Sequence, residues 1–152
     1  MSVSAILHYE DFTPGESCDF GRYDVTAEEI KTFAAEFDPQ PFHLDEEAGR
    51  NSILGGLCAS GWHTAAMFMR MMVDGYLGRS ASLGSPGLDE LKWLKPVFPG
   101  ETLTGRFTVV AKRTSAKNPE VGILTMRWEV FSAVGEKKME ITGVNLIKVR
   151  SP

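Results

Sequence analysis

Leu57-Cys-Ala-Ser-Gly-Trp-His-Thr-Ala-Ala-Met-Phe-Met-Arg-Met-Met-Val-Asp-Gly-Tyr-Leu77 is the most hydrophobic stretch of the chain. It predicts a helix over about 57–77, with Ala65, Ala66, Met67, Phe68, Met69, Met71, Met72 and Val73 surrounding it almost completely. A helix that is apolar on every side is expected to be buried on every side. Arg70 and Asp74 are the exceptions, at the i,i+4 spacing of an ion pair. Such a helix needs a wrapper.

The wrapper follows in the sequence. A strand is expected over 88–97, with Pro96, Pro99 and Gly100 marking the turn after it. Over 102–112, Leu103, Phe107 and Val109 alternate with Thr104, Arg106 and Thr108. Over 122–134, Leu124, Met126, Trp128 and Val130 fall on one side, and a last strand covers 138–149. Period-two strands joined by short turns make an antiparallel meander. Its open edges are places for subunits to pair. Upstream, 17–25 reads as a short strand. Thr26 with Glu29 forms a capping-box pattern, and Ile30, Phe33, Ala34 and Phe37 line one face of a helix over 27–37. Pro39 and Pro41 end that helix. Residues 38–56 are expected to be mostly loop, with a short polar helical turn at 44–50, and 80–87 form a further loop. The whole is an α+β arrangement in one domain, residues 1–152: a long central helix wrapped by a curved antiparallel sheet.

The bulk numbers set limits. A chain of 152 residues, 43% hydrophobic and 24% charged, can bury a core without disulfides or structural metal. Net charge −4 and pI near 5.4 argue against nucleic acid as the main partner. No stretch reaches the ~20 apolar residues of a membrane helix, and the start lacks the character of a signal peptide. Cys18 and Cys58 are too few for a disulfide framework and fit a reducing compartment, so a cytoplasmic location is expected.

Chemistry concentrates in Asp38-Pro39-Gln40-Pro41-Phe42-His43. An acid and a histidine stand five residues apart in a segment that two prolines stiffen, which suits a fixed general acid–base pair. Other polar residues have plainer readings. His63 is a core or interface histidine, Cys58 is packing, and Asp45, Glu46 and Glu47 form a solvated face with no metal site. Met67 to Met72 are core residues or the wall of an acyl tunnel. Lys112, Arg113 and Lys117 are solvated, or meet phosphates.

The Asp-x-x-Pro-x-His loop, lying between one helix and a glycine-opened hydrophobic helix, resembles the MaoC-like dehydratases, the group containing the (R)-specific enoyl-CoA hydratases. Tyr9-Glu-Asp-Phe-Thr-Pro-Gly15 and Leu94-Lys-Pro-Val-Phe-Pro-Gly100, followed by Glu101, are similar to further family segments. The resemblance implies a hot-dog fold that assembles as a homodimer or higher homo-oligomer. It implies that Asp38 and His43 are the catalytic pair, and that the Gly61 N–H holds the thioester oxygen. Gln40, Phe42, Ser60, Trp62 and Met69 are the substrate-pocket candidates. Gln40 stands where the family usually has Asn, Ser60 where His commonly precedes the glycine, and Met69 where some hydratases have Ser. The implied activity is reversible hydration of a 2-enoyl-CoA or related acyl thioester to the 3-hydroxyacyl-CoA, with coenzyme A as part of the substrate and no other cofactor. An acyl-CoA thioesterase and a non-catalytic acyl-thioester-binding dimer are the alternatives.

Overall fold

The computed structural model describes residues 5–151. After a 3-10 turn at Tyr9–Asp11, the elements are β1 (Ser17–Asp24), α1 (Ala27–Phe37), α2 (Pro41–Leu44), α3 (Glu46–Arg50), α4 (Gly61–Gly75), a 3-10 turn at Leu77–Arg79, β2 (Ser82–Gly84), β3 (Leu88–Trp93), β4 (Thr102–Thr114), β5 (Val121–Ser132) and β6 (Lys137–Lys148). The six strands form one antiparallel sheet in the order β1-β4-β5-β6, with β2 and β3 both pairing along the outer side of β6.

Side chains alternate as the strand period demands. Leu103, Phe107 and Val109 of β4 and Leu124, Met126, Trp128 and Val130 of β5 point inward with Met139, Ile141 and Ile147 of β6. They meet Met67, Phe68, Met71 and Met72 of α4. The close approach depends on Gly105, where an added Cβ would stand 2.8 Å from the Phe68 ring. A curved antiparallel sheet around one central helix is the hot-dog fold expected from the resemblance.

Several boundaries differ from expectation. The central helix starts at Gly61, not at Leu57, and ends at Gly75. Residues 57–60 are buried but extended: Cys58 N–H donates to the Phe42 carbonyl (3.2 Å), Ala59 N–H donates to Val97 (2.9 Å), and Ser60 has ψ 142°. Apolar character marks burial, and burial alone does not separate helix from extended chain. Nor is α4 buried all round. Trp62, Met69 and Val73 are 63%, 49% and 40% exposed and form an apolar stripe along one face. Arg70 Nε and Asp74 Oδ2 make the expected pair at 3.0 Å.

The 38–56 segment is more helical than expected. Pro41 opens α2 at a first-turn position, where a missing N–H costs nothing, and Asp45 caps α3 by accepting from Ala48 N–H. The 80–87 loop contains the short strand β2. The expected 88–97 strand stops at Trp93, because Lys138 Nζ and main chain take over the 94–97 backbone. Half of the expected capping box forms: Glu29 N–H donates to Thr26 Oγ1, but the Glu29 carboxylate turns instead to Tyr23 OH and His63.

Candidate active site

Asp38 terminates α1. Its N–H still donates to Ala34, and its φ of −151° swings the chain out of the helix. Five residues on, His43 sits in α2 with its side chain 7% exposed. The ring is held at three places. Nδ1 lies 2.6 Å from the Cys58 carbonyl oxygen, Phe42 packs edge-on at 4.5 Å, and Nε2 faces Asp38 Oδ2 at 3.4 Å. A carbonyl oxygen only accepts, so Nδ1 carries the hydrogen. Neutral His43 therefore presents a bare lone pair on Nε2, on the side of the acid.

Asp38 is supported in turn. Gln40 Nε2 donates to its Oδ1 at 2.7 Å. Its carboxyl is held below the usual carboxylate range, by the Ser60 hydroxyl first, then by Gln40 and by the His43 ring, against an opposing effect of burial. The Ser60 Oγ is buried and completes no hydrogen bond of full geometry.

A cavity of about 540 Å3 opens beside His43, lined by Phe42, His43, Cys58, Gly61, Thr64 and the Trp93–Val97 segment together with Ser52, Ile53 and Leu54. Gly61 is the first residue of α4, and no side chain caps that end. Among the described residues its N–H has no hydrogen-bond partner. The free donors and the helix dipole make this end favourable to negative charge. Glycine here lets an aromatic side chain lie directly on the helix start. The Trp93 indole lies on it, 2.4 Å from where a Cβ would stand, and Trp93 Nε1–H donates to the Gly61 carbonyl at 2.9 Å.

The expected site residues separate into two groups. Asp38, Gln40, Phe42, His43, Ser60 and Gly61 come together. Trp62 and Met69 do not: consecutive helix residues point 100° apart, and both line a second cavity on the other side of the first turn of α4. Lys112 also stands apart. It bonds the Tyr9 carbonyl and lies over the Tyr9 ring, seven residues along β4 from Gly105. The cation lining the first cavity is instead Lys95.

Sequence reasoning missed Trp93, Thr64, Lys95 and the Cys58 carbonyl. Cys58, expected to be packing, has its Sγ 3.8 Å from His43 Nδ1. Burial pushes the Cys58 thiol pKa up, so it remains a packing group. Glu101 gains a definite task. It accepts from Phe98 N–H (2.8 Å) and pairs with the buried Lys138 (3.0 Å), which also donates to the Pro96 carbonyl (2.9 Å) and ties down the cavity wall. Among the described residues, no cluster of His, Cys, Asp or Glu is arranged to hold a metal ion.

The fold and this geometry define a class: a hot-dog protein with a fixed carboxylate–imidazole pair beside the open N-terminus of its central helix. Comparison with known proteins supplies the family. The model of the MaoC like domain matches residues 11–128. The Bacillus subtilis (strain 168) protein YdeM is 30% identical over 136 residues, 89% of this chain and 92% of that protein. Protein MaoC of Klebsiella aerogenes is 29% identical over 73% of this chain, which spans only 32% of that relative's length. The crystal structure of the MaoC-like dehydratase from Rhodospirillum rubrum has a TM-score of 0.86 and 41% identity, covering 96% of this chain and 99% of that one. The chain belongs to the MaoC-like family, and its kind of chemistry is that of the dehydratases and hydratases.

Proposed function

We propose that this protein reversibly hydrates a 2-enoyl-CoA, or a related acyl thioester, to the 3-hydroxyacyl form, with Asp38 and His43 as its acid–base pair. The observation that carries the reading is the fixed tautomer of His43. With Nδ1 tied to the Cys58 carbonyl, Nε2 is the basic nitrogen and faces the Asp38 carboxylate. A water held between the two gives its proton to Nε2 while its oxygen bonds to C3 of the enoyl group. The displaced electron pair moves onto the thioester oxygen, where the Gly61 N–H stabilises it. The imidazolium then returns a proton to C2, so that one water is added and the pair is restored. The thioester acidifies C2 by itself, so the reaction calls for no metal or redox cofactor.

The apolar stripe of Trp62, Met69 and Val73, with the exposed Leu88, Trp93 and Leu94 at the β3 edge, supports assembly with a second copy. Two free cysteines and the absence, among the described residues, of any helix long and apolar enough to cross a membrane fit a cytoplasmic protein.

The test is incubation with crotonyl-CoA. Loss of enoyl absorbance without release of free thiol supports hydration. Free thiol would mean that water attacks the carbonyl, as in a thioesterase. No turnover on short, branched and long enoyl-CoAs would leave a binding protein.

A further inference from the structure

Ser60 is the residue of the site whose placement packing does not explain. It stands at the N-cap of α4, where a serine hydroxyl ordinarily accepts from an N–H of the first turn, yet its side chain makes no cap bond. The resemblance makes it a substrate-pocket candidate, but it is 0% exposed, and its neighbours Ala59 and Gly61 form the cavity wall instead. Only its carbonyl serves the helix, accepting from Thr64 N–H at 3.0 Å. Its Oγ is buried without a hydrogen bond of full geometry, a costly state for a hydroxyl. The fold nevertheless brings it to the acid–base pair. His43 lies between the two segments, with Nε2 facing Asp38 Oδ2 at 3.4 Å and Nδ1 facing the carbonyl of Cys58, two residues before Ser60, at 2.6 Å. The Ser60 hydroxyl is also the first of the groups that hold the Asp38 carboxyl low.

Asp38 needs a donor of this kind. The His43 Nε2 carries a bare lone pair and Asp38 Oδ2 is an acceptor too, so their approach does not by itself hold the carboxylate. Gln40 Nε2 donates to Oδ1 at 2.7 Å, but Gln40 is exposed, and one bond to one oxygen leaves the carboxylate free to turn about it. A hydroxyl on the buried side removes that freedom. Hydrogen bonds within catalytic sites are often long or poorly aligned in the unliganded protein and tighten when substrate binds. We infer that Ser60 is a positioning residue: its hydroxyl donates to the Asp38 carboxylate from the buried side and, together with Gln40, fixes the oxygen that faces His43. The inference rests on the hydratase reading above and adds a residue that acts only through Asp38.

Crotonyl-CoA hydration by Ser60→Ala tests it, alone and combined with Asp38→Asn. The substitution removes no cap bond, so the fold is expected to persist, as far-UV circular dichroism checks. In the wild-type background kcat should fall roughly 10- to 100-fold, the worth of one hydrogen bond to a charged group. KM should hold, because Ser60 does not line the cavity. In the Asp38→Asn background the same substitution should cost little more, since the carboxylate it serves is gone. Ser60→Thr, which keeps the donor, should stay well above Ser60→Ala. A wild-type kcat in Ser60→Ala, a loss through KM alone, or an equal loss in both backgrounds overturns the inference. So does a Ser60→Thr protein no faster than Ser60→Ala, or a Ser60→Ala protein that does not fold, since either assigns the serine to packing. Hydration by the wild type with Ser60→Ala unchanged removes only the role of Ser60, whereas absence of hydration by the wild type removes the underlying reading.

Discussion

Replacing Gly61 by alanine isolates the N-terminus of α4 from the stability of the fold. The new methyl group would stand 2.4 to 2.8 Å from three atoms of the Trp93 indole. No such contact survives, so the indole must move, and its 45% exposure gives it room to do so. The move breaks the Trp93 Nε1–H bond to the Gly61 carbonyl, a loss of about 1 kcal/mol. Against this, Gly61 has no positive φ, so alanine lowers the entropy of the unfolded chain and returns about 0.4–1 kcal/mol. The two effects nearly cancel. With 2–4 °C per kcal/mol for a chain of this size, Tm is expected to change by no more than about 4 °C. Activity has no such compensation. The displaced indole and the added methyl crowd the cavity beside the Gly61 N–H, and losing one donor of this kind costs roughly 100-fold or more. Thermal unfolding and crotonyl-CoA hydration on one preparation check both halves, and tryptophan emission reports the indole. Full activity with a displaced Trp93, or a Tm drop well beyond 4 °C, would refute the reasoning.

Three further outcomes are expected. Burial holds the His63 pKa below its ordinary value of 6.5, against the opposing pull of Glu29. The unfolded chain therefore binds that proton more readily. The contribution of His63 to stability is complete above about pH 6.5 and falls as pH drops through and below that value. His63→Gln should flatten the slope of Tm between pH 7 and 5.5, and an unchanged slope would assign it to another group. Lys138→Met removes the donor shared by the Pro96 carbonyl and Glu101 and should cost about 2 kcal/mol in urea unfolding, with KM rising because the 94–97 wall loosens; an unchanged midpoint would contradict that. Asp38 stays ionised across the neutral and mildly acidic range because its carboxyl pKa is depressed below 3.8. The acid limb of a pH–rate profile above pH 5 should therefore persist in variants of Gln40 that keep the fold.

The sequence carried the sheet and the pair more fully than the cavities. Alternation at 103–109 and 124–130 identified the inward rows of β4 and β5, because one face is core and the other is not. The helix start at Gly61 was not legible, since Leu57, Cys58 and Ala59 are as apolar as the helix they precede and are buried by backbone bonds to Phe42 and Val97. The exposed stripe of Trp62, Met69 and Val73 was invisible for a related reason: apolar character does not say whether the cover comes from the same chain. Trp93 and the Cys58 carbonyl reach the site across 32 and 15 positions, and no local pattern encodes such contacts.

The central claim is that Asp38 and His43 act as one acid–base unit on water. The most direct measurement is the rate of crotonyl-CoA hydration by the wild-type protein, Asp38→Asn and His43→Ala, with far-UV circular dichroism to confirm folding. Each variant should fall by roughly 100- to 10,000-fold, and the double variant little further, as expected for residues that act together. A folded Asp38→Asn protein hydrating at the wild-type rate would contradict the account.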